Sequence, residues 1–261
     1  MTATLQNYDI DFVQLALSKA IQDIDTSTGK LSPGLANYIG EHFDRAGIRI
    51  GVLGSYIHPI HPDPVIRRAE INRFKEHLRY ARHFGAPMVA TETGALTTFQ
   101  AQDPLHYEAI GWDILRATVQ ELAEEAEKWG VFLGLEGVCT HTLSTPDKMR
   151  RILDEVPSSN IGVVFDPCNF IGDAVDIQDQ IVDDSFRLFG DRIILAHLKD
   201  IYPNGGTIYH GKAGGGQFHT EAFLNKLQEF KPMIDVSLED IKDLEINDTV
   251  ALLKKLASME Q

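Results

Sequence analysis

Short runs of apolar and β-branched residues recur along the chain. Between them lie stretches in which apolar residues return every three or four positions. The runs are Asp9–Ala16, Ile48–Gly54, Pro87–Glu92, Val131–Glu136, Ile161–Asp166, Ile193–His197 and Met233–Glu239. Several are almost continuously apolar, the pattern of strands buried on both faces of a parallel sheet. From Pro64 to Gly85 the stripe Ile66, Ala69, Phe74, Leu78, Ala81 and Phe84 predicts a helix with one face on the core. Ile110, Ile114, Thr118, Leu122, Ala126 and Trp129 predict another between Tyr107 and Gly130. Ser32-Pro33 and Ser144-Thr145-Pro146 read as helix starts, and Gly47, Gly85 and Gly130 as helix ends.

Strands alternating with helices through short connections define a parallel α/β architecture. No linker rich in Pro, Gly or Ser divides the chain, so residues 1–261 are read as one domain. An open nucleotide-binding sheet would carry a Gly-rich turn after its first strand, and none is present. Ala213-Gly-Gly-Gly216 comes late and lacks the spacing, so it is weak evidence for a phosphate cradle. A TIM-type (β/α) barrel is the expected fold. It shows seven strands, and only about eight residues precede the first, too few for another strand and its crossover helix. Either seven strands close the barrel, or its usual first strand–helix unit is missing or replaced.

Composition narrows the function classes. A 261-residue chain that is 43% hydrophobic has ample material for a core, which excludes disorder as its main state. No apolar stretch approaches the roughly 18–20 residues of a membrane span. The start, Met1-Thr-Ala-Thr-Leu-Gln6, has neither a basic nor an apolar signal region, so a cytoplasmic protein without a membrane partner is expected. Lys and Arg number 24 against 38 Asp and Glu, a net charge of −14 that disfavours nucleic acid as a partner. The two cysteines, Cys139 and Cys168, suit a reducing compartment and read as small hydrophobes.

In a barrel, catalytic groups stand where strands finish. Four runs end in a carboxylate or imidazole: Leu135 is followed by Glu136, Phe165 by Asp166, Ala196 by His197 and Leu238 by Glu239. Their spacings of 30, 31 and 42 residues each amount to about one strand–helix repeat. Alone, any of them reads more readily as a cap or a salt-bridge member. Together they predict one cluster, and three carboxylates with one imidazole suit a divalent cation: Mn²⁺ first, with Mg²⁺, Co²⁺ or Zn²⁺ as alternatives. The cation would also relieve repulsion among the carboxylates. His58, Glu92, Asn169, Lys199 and His210 are candidate substrate-binding residues. Tyr56 and Trp112 are candidates for the mouth, although packing is the commoner explanation, and His61, His77, His83 and His106 receive no role.

The segments Leu133-Gly-Leu-Glu-Gly137, Val164-Phe-Asp-Pro167, Ala196-His-Leu-Lys-Asp200 and Ser237-Leu-Glu-Asp240, with Phe74–Gly94, resemble the sugar phosphate isomerase/epimerase family of xylose-isomerase-like barrels. The resemblance runs from about Tyr8 to the last strand and places the chain's start after the usual first strand. It implies Glu136, Asp166, His197 and Glu239 as metal ligands, with Glu136 and Glu239 also the acid/base pair. It further implies a metal-dependent isomerase or epimerase of a small sugar or sugar phosphate, working by proton abstraction beside a carbonyl. A dehydratase of a polyol or keto-acid is the alternative; an endonuclease IV-like hydrolase and a non-catalytic sugar-binding barrel are less favoured. Two positions depart from the epimerase pattern: Asn169 stands where a His is usual and Pro203 where an Arg is usual. Ile208 replaces the Asp that would pair with His210 in a trinuclear site. A barrel lacking its first unit would expose apolar edges, so a homo-oligomer is expected.

Overall fold

The computed structural model describes residues 2–100, 103, 105–204 and 207–258. A short helix α1 (Thr2–Asn7) leads into β1 (Phe12–Leu15), followed by α2 (Leu17–Ala20), α3 (Pro33–Arg45) and β2 (Arg49–Gly54). Next come α4 (Pro64–Tyr80), β3 (Met88–Glu92), α5 (Thr97–Gln100), α6 (Tyr107–Trp129), β4 (Phe132–Glu136) and α7 (Pro146–Glu155). The chain continues through β5 (Ile161–Phe165), α8 (Pro167–Ile171), α9 (Gln178–Phe189) and β6 (Ile193–Leu198). It ends with β7 (Asp200–Asn204), β8 (Thr207–Gly211), α10 (Thr220–Phe230), β9 (Val236–Leu238) and α11 (Ile246–Ser258).

Seven strands form one parallel sheet in the order β1-β2-β3-β4-β5-β6-β9, a nearly closed TIM-type barrel. β7 and β8 form a separate antiparallel hairpin that the hydrophobic pattern did not announce, because its residues are mostly polar and partly exposed. β1 and β9 approach each other with no ladder bonds between them among the described residues. Side chains span that seam instead. Arg49, opening β2, makes a two-pronged ion pair at 2.8 and 3.1 Å with Asp235, just before β9.

The predicted caps form as their chemistry requires. Ser32 and Thr145 each accept a hydrogen bond from a backbone N–H three residues on, with Pro at the first helical position. Gly85 and Gly130 end their helices at φ of 76° and 64°, a conformation costly for any residue with a Cβ. In α4 the buried face is Ile71, Phe74 and Leu78, whereas Ile66 and Ala69 are exposed. The stripe therefore starts a turn later than predicted. The end strands are also shorter than their apolar runs. Asp9 turns at φ 56° to leave α1, and Met233 lies 93% exposed in a turn before β9.

Two-residue alternation divides the core. Val52, Met88, Ala90, Val164 and Leu195 fill the barrel interior, joined by Phe12 and Ile194. Outward residues such as Leu133, Leu135, Val163 and Phe165 pack against the helices. Phe165 is wholly buried, with its ring 5.8–6.0 Å from those of Phe170, Phe186, Phe189 and Phe223, three of them edge-on. No helix among the described residues is long and apolar enough to cross a membrane. Because Phe165 joins β5 to three helices, Phe165→Ala should destabilise the fold by about 3–5 kcal/mol, read as a lower denaturation midpoint in urea.

Candidate active site

The alternation that fills the interior also aims the polar strand ends. Gly134, Val164, Leu195 and Ser237 point into the barrel, so Glu136, Asp166, His197 and Glu239, each two residues further on, point inward at its carboxyl end. Gly134 is required there, since a Cβ would meet Met88 Sδ at 2.7 Å and Ala90 Cβ at 2.9 Å. One ligand atom from each of the four lies within 4.8 Å of the other three.

His197 is the centre of the cluster. Its Nδ1 lies 3.1 Å from Glu239 Oε1, 3.4 Å from Glu136 Oε1 and 3.9 Å from Asp166 Oδ2. That Nδ1 is buried and has no hydrogen bond aligned with any of them. Its Nε2 is 3.0 Å from Gln14 Oε1, and Gln14 Nε2 donates to the Tyr56 hydroxyl at 2.8 Å. Asn169 Nδ2 donates to Glu136 Oε1 at 2.8 Å. Lys199 Nζ lies 2.9 Å from Asp166 Oδ2 and 3.2 Å from Glu239 Oε2. Three carboxylate donors around an orphaned imidazole nitrogen fit a divalent cation.

The electrostatics follow from crowding in a buried place. Burial pushes the Glu136 pKa up, and Glu239 and Asp166 add to it against the opposing pull of His197. Burial disfavours charge on His197, but Glu136, Glu239 and Asp166 outweigh it, so without a cation the imidazole pKa rises to about 9. Burial likewise opposes the charge on Lys199, and Asp166 with Glu239 overcomes it, raising that pKa. Glu92 is raised by burial and then by Glu136.

A cleft of about 380 Å³ opens onto this cluster, lined by Lys19, Tyr56, Glu92, Glu136, Val138, Asn169, Lys199, Glu239 and Asp240. Two cavities of about 580 Å³ lie elsewhere, one beside α10 and one at the amino ends of the strands, and neither holds convergent carboxylates. Of the predicted substrate-binding residues, Glu92, Asn169 and Lys199 line the cleft. His58 and His210 do not: His58 packs edge-on against His61, and His210 lies half-buried on the β7–β8 hairpin. Trp112 is packed away from the mouth on α6, its indole N–H donating to Glu155. Tyr56 does line the mouth.

Gln14, Lys19 and Asp240 join the site without having been predicted. Gln14 had a visible signal, a polar residue at an inward position of an otherwise apolar strand. Asp240 had less, being adjacent to Glu239, and its φ of 50° turns it toward Lys199 at 3.6 Å. Asp200 has a different role from its neighbours. It is buried and accepts five backbone hydrogen bonds, from Ile201, Gly214, Gly215, Gly216 and Phe218, at 2.8–3.1 Å. The glycine run 214–216 is thus a cradle for an anion, and the anion is the chain's own carboxylate. Cys168 is buried with its thiol pKa pushed up by burial, while Cys139 is exposed.

The family model for xylose isomerase-like TIM barrels matches residues 3–256. The chain belongs to that family. Among solved structures, a xylose isomerase domain protein from Planctomyces limnophilus superposes with a TM-score of 0.77 at 18% identity, covering 99% of this chain and 92% of its own. An IOLI protein with a bound zinc atom gives 0.75 at 18% identity, covering 98% of this chain and 89% of its own. A D-tagatose 3-epimerase-like protein gives 0.74 at 19% identity, covering 96% of this chain and 98% of its own. A comparison with curated proteins finds no match.

Replacing Asp200 by Ala would leave five N–H groups without their acceptor. Asp200→Ala is expected to cost about 3 kcal/mol of stability, measured by urea denaturation, with Asp200→Asn retaining part of it.

Proposed function

We propose that the chain is a divalent-metal-dependent isomerase or epimerase of a small sugar. The observation that carries this reading is the convergence of Glu136 and Glu239, from β4 and β9 on either side of β6 in the sheet, to 3.4 and 3.1 Å from His197 Nδ1, both lining one cleft. Glu136, Asp166, His197 and Glu239 would hold the cation, Mn²⁺ by preference for the mixed oxygen and nitrogen donor set. A bound divalent cation supplies Lewis-acid stabilisation of the charge that develops on a substrate carbonyl oxygen.

The protein's own groups do the rest. Glu239, about a quarter exposed, is positioned to take the proton from the carbon beside the carbonyl. Removing that proton gives an enediolate. Glu136, approaching from β4, returns a proton from the other side. Return to the opposite face of the same carbon inverts it, and delivery to the neighbouring carbon moves the carbonyl. Asn169 fixes the Glu136 carboxylate, and Lys199 bridges Asp166 and Glu239 and offsets their repulsion. Gln14 orients His197 from behind, the role a partner of a ligating imidazole commonly takes. The superposition on an epimerase-like protein and on a zinc-bound one supports both halves of the reading at the level of fold.

Elemental analysis of the purified protein should find about one divalent cation per chain, and Glu239→Ala should lose it; equal content in both would remove the ligand assignment. Cation binding requires neutral His197, whose pKa is about 9 beforehand. At pH 7 binding should therefore expel about one proton, and affinity should fall by up to about tenfold per pH unit as the pH drops. Calorimetry in buffers of different ionisation enthalpy measures both. For the chemistry, ketoses incubated with the loaded protein in deuterated water should incorporate deuterium beside the carbonyl. Glu136→Gln and Glu239→Gln should slow this by at least about 100-fold.

A further inference from the structure

The walls of the cleft bear on which sugar it takes, an inference that rests on the function proposed above. Glu92, Glu136, Glu239 and Asp240 line it and Asp166 lies beneath, five carboxylates against two lysines, so even a divalent cation leaves the wall anionic on balance. Lys199 is already committed to Asp166, Glu239 and Asp240 at 2.9, 3.2 and 3.6 Å. Lys19 stands at the rim with its ammonium 4.3 Å from the centre of the Tyr56 ring. No arginine lines the cleft among the described residues. The helix that starts at the site, α8, is capped by Asp166, whose Oδ1 accepts from Asn169 N–H. Apart from Lys19 at the rim, the features that would receive a phosphoryl group are thus absent or taken.

Glu92 stands apart from the four clustered groups. It ends β3 beside Glu136, its paired position on β4, and its carboxylate faces the cleft. On its other side His141, from the loop after β4, places Nδ1 3.5 Å from Glu92 Oε2. That Nδ1 is buried and makes no hydrogen bond, while the His141 backbone is held by N–H donation to Val138 O and by a bridge to Ala95. A carboxylate placed this way accepts hydrogen bonds from vicinal hydroxyls and repels a dianion. We propose that the site selects an uncharged polyhydroxylated sugar over a phosphorylated one, with Glu92 as the specificity-determining residue and His141 as its positioning residue.

The test compares D-fructose and D-xylulose with D-fructose 6-phosphate and D-xylulose 5-phosphate as calorimetric ligands of the Mn²⁺-loaded protein. The free ketoses should bind at least about tenfold more tightly than their phosphates. Glu92→Gln, isosteric and uncharged, should weaken the free ketoses about tenfold while leaving cation content unchanged, and should narrow the discrimination. His141→Gln, checked for native circular dichroism, should shift the same ratio in the same direction by a smaller factor. Equal or tighter binding of the phosphates overturns the proposal. So does a Glu92→Gln protein whose ratio is unchanged, or failure of all four ligands to bind. Deuterium incorporation reads the proposed reaction separately: ketoses that bind with the expected preference but exchange no hydrogen would sink the reaction and leave the selectivity standing.

Discussion

Three carboxylates and an imidazole confined to a few ångströms at the mouth of a barrel are held there against their own repulsion. Two like charges about 4 Å apart repel by roughly 4 kcal/mol at the effective dielectric of a partly buried site. Burying each ion costs several kcal/mol more unless partners compensate. Asp166 and His197 are wholly buried and Glu136 nearly so. The remainder of the mouth works to contain that cost. Lys199 lies against two of the carboxylates, Asn169 donates to the third, and the protonated imidazole balances them when no cation is bound. A fold selected for stability alone would not gather these groups. A divalent cation held by the four groups would make the arrangement favourable.

Strand geometry is what makes the gathering affordable in sequence terms, because side chains alternate faces without any special local structure. His197-Leu198-Lys199-Asp200 shows how much one such stretch carries. His197 points inward to the cluster and Leu198 is buried outside the barrel interior in the main core. Lys199 returns to the site and Asp200 leaves it to tie down the glycine loop. Shifting this segment by one residue would bury the lysine's neighbours wrongly and empty the cluster. Register is therefore fixed by both the core and the chemistry.

This alternation also decides what could be read from the chain beforehand. Glu136, Asp166, His197 and Glu239 were legible because each ends an apolar run that had to be a strand, and strand ends share one rim. The barrel was legible from the same runs. The outer limits of β1 and β9 were not, since apolarity continues through Ile10 and Met233, where backbone turns and exposure rather than composition end the strands. His58 follows β2 much as the cluster residues follow their strands, yet its loop carries it aside, and His210 lies within β8 of a hairpin that the hydrophobic pattern does not announce. The glycine run 214–216 read only as weak evidence for a phosphate cradle; it does hold an anion, but its occupant, the Asp200 carboxylate 14 to 16 residues earlier in the chain, depends on tertiary structure. His141 was invisible for a related reason: its partner Glu92 ends β3 while His141 follows β4, and only the folded loop brings them together.

The open seam between β1 and β9 joins the fold to the site. A seven-stranded sheet that does not complete its ladder needs other ties, and the chain supplies them with side chains. Arg49 and Asp235 span the seam at the amino ends of the strands, exposed and individually modest in energy. At the carboxyl ends the tie is Gln14, reaching from β1 to His197 on β6. There the contact ties the first strand to the cluster and fixes the imidazole's tautomer. With Gln14 Oε1 accepting from Nε2–H, the nitrogen that loses its proton is Nδ1, the one facing Glu136, Asp166 and Glu239. Tyr56 holds Gln14 in that orientation, and burial with the neighbouring carboxylates keeps the Tyr56 hydroxyl protonated. Closure of the barrel and readiness of the imidazole are consequently one structural event. Were β1 to drift from its place, His197 would lose the acceptor that fixes its tautomer.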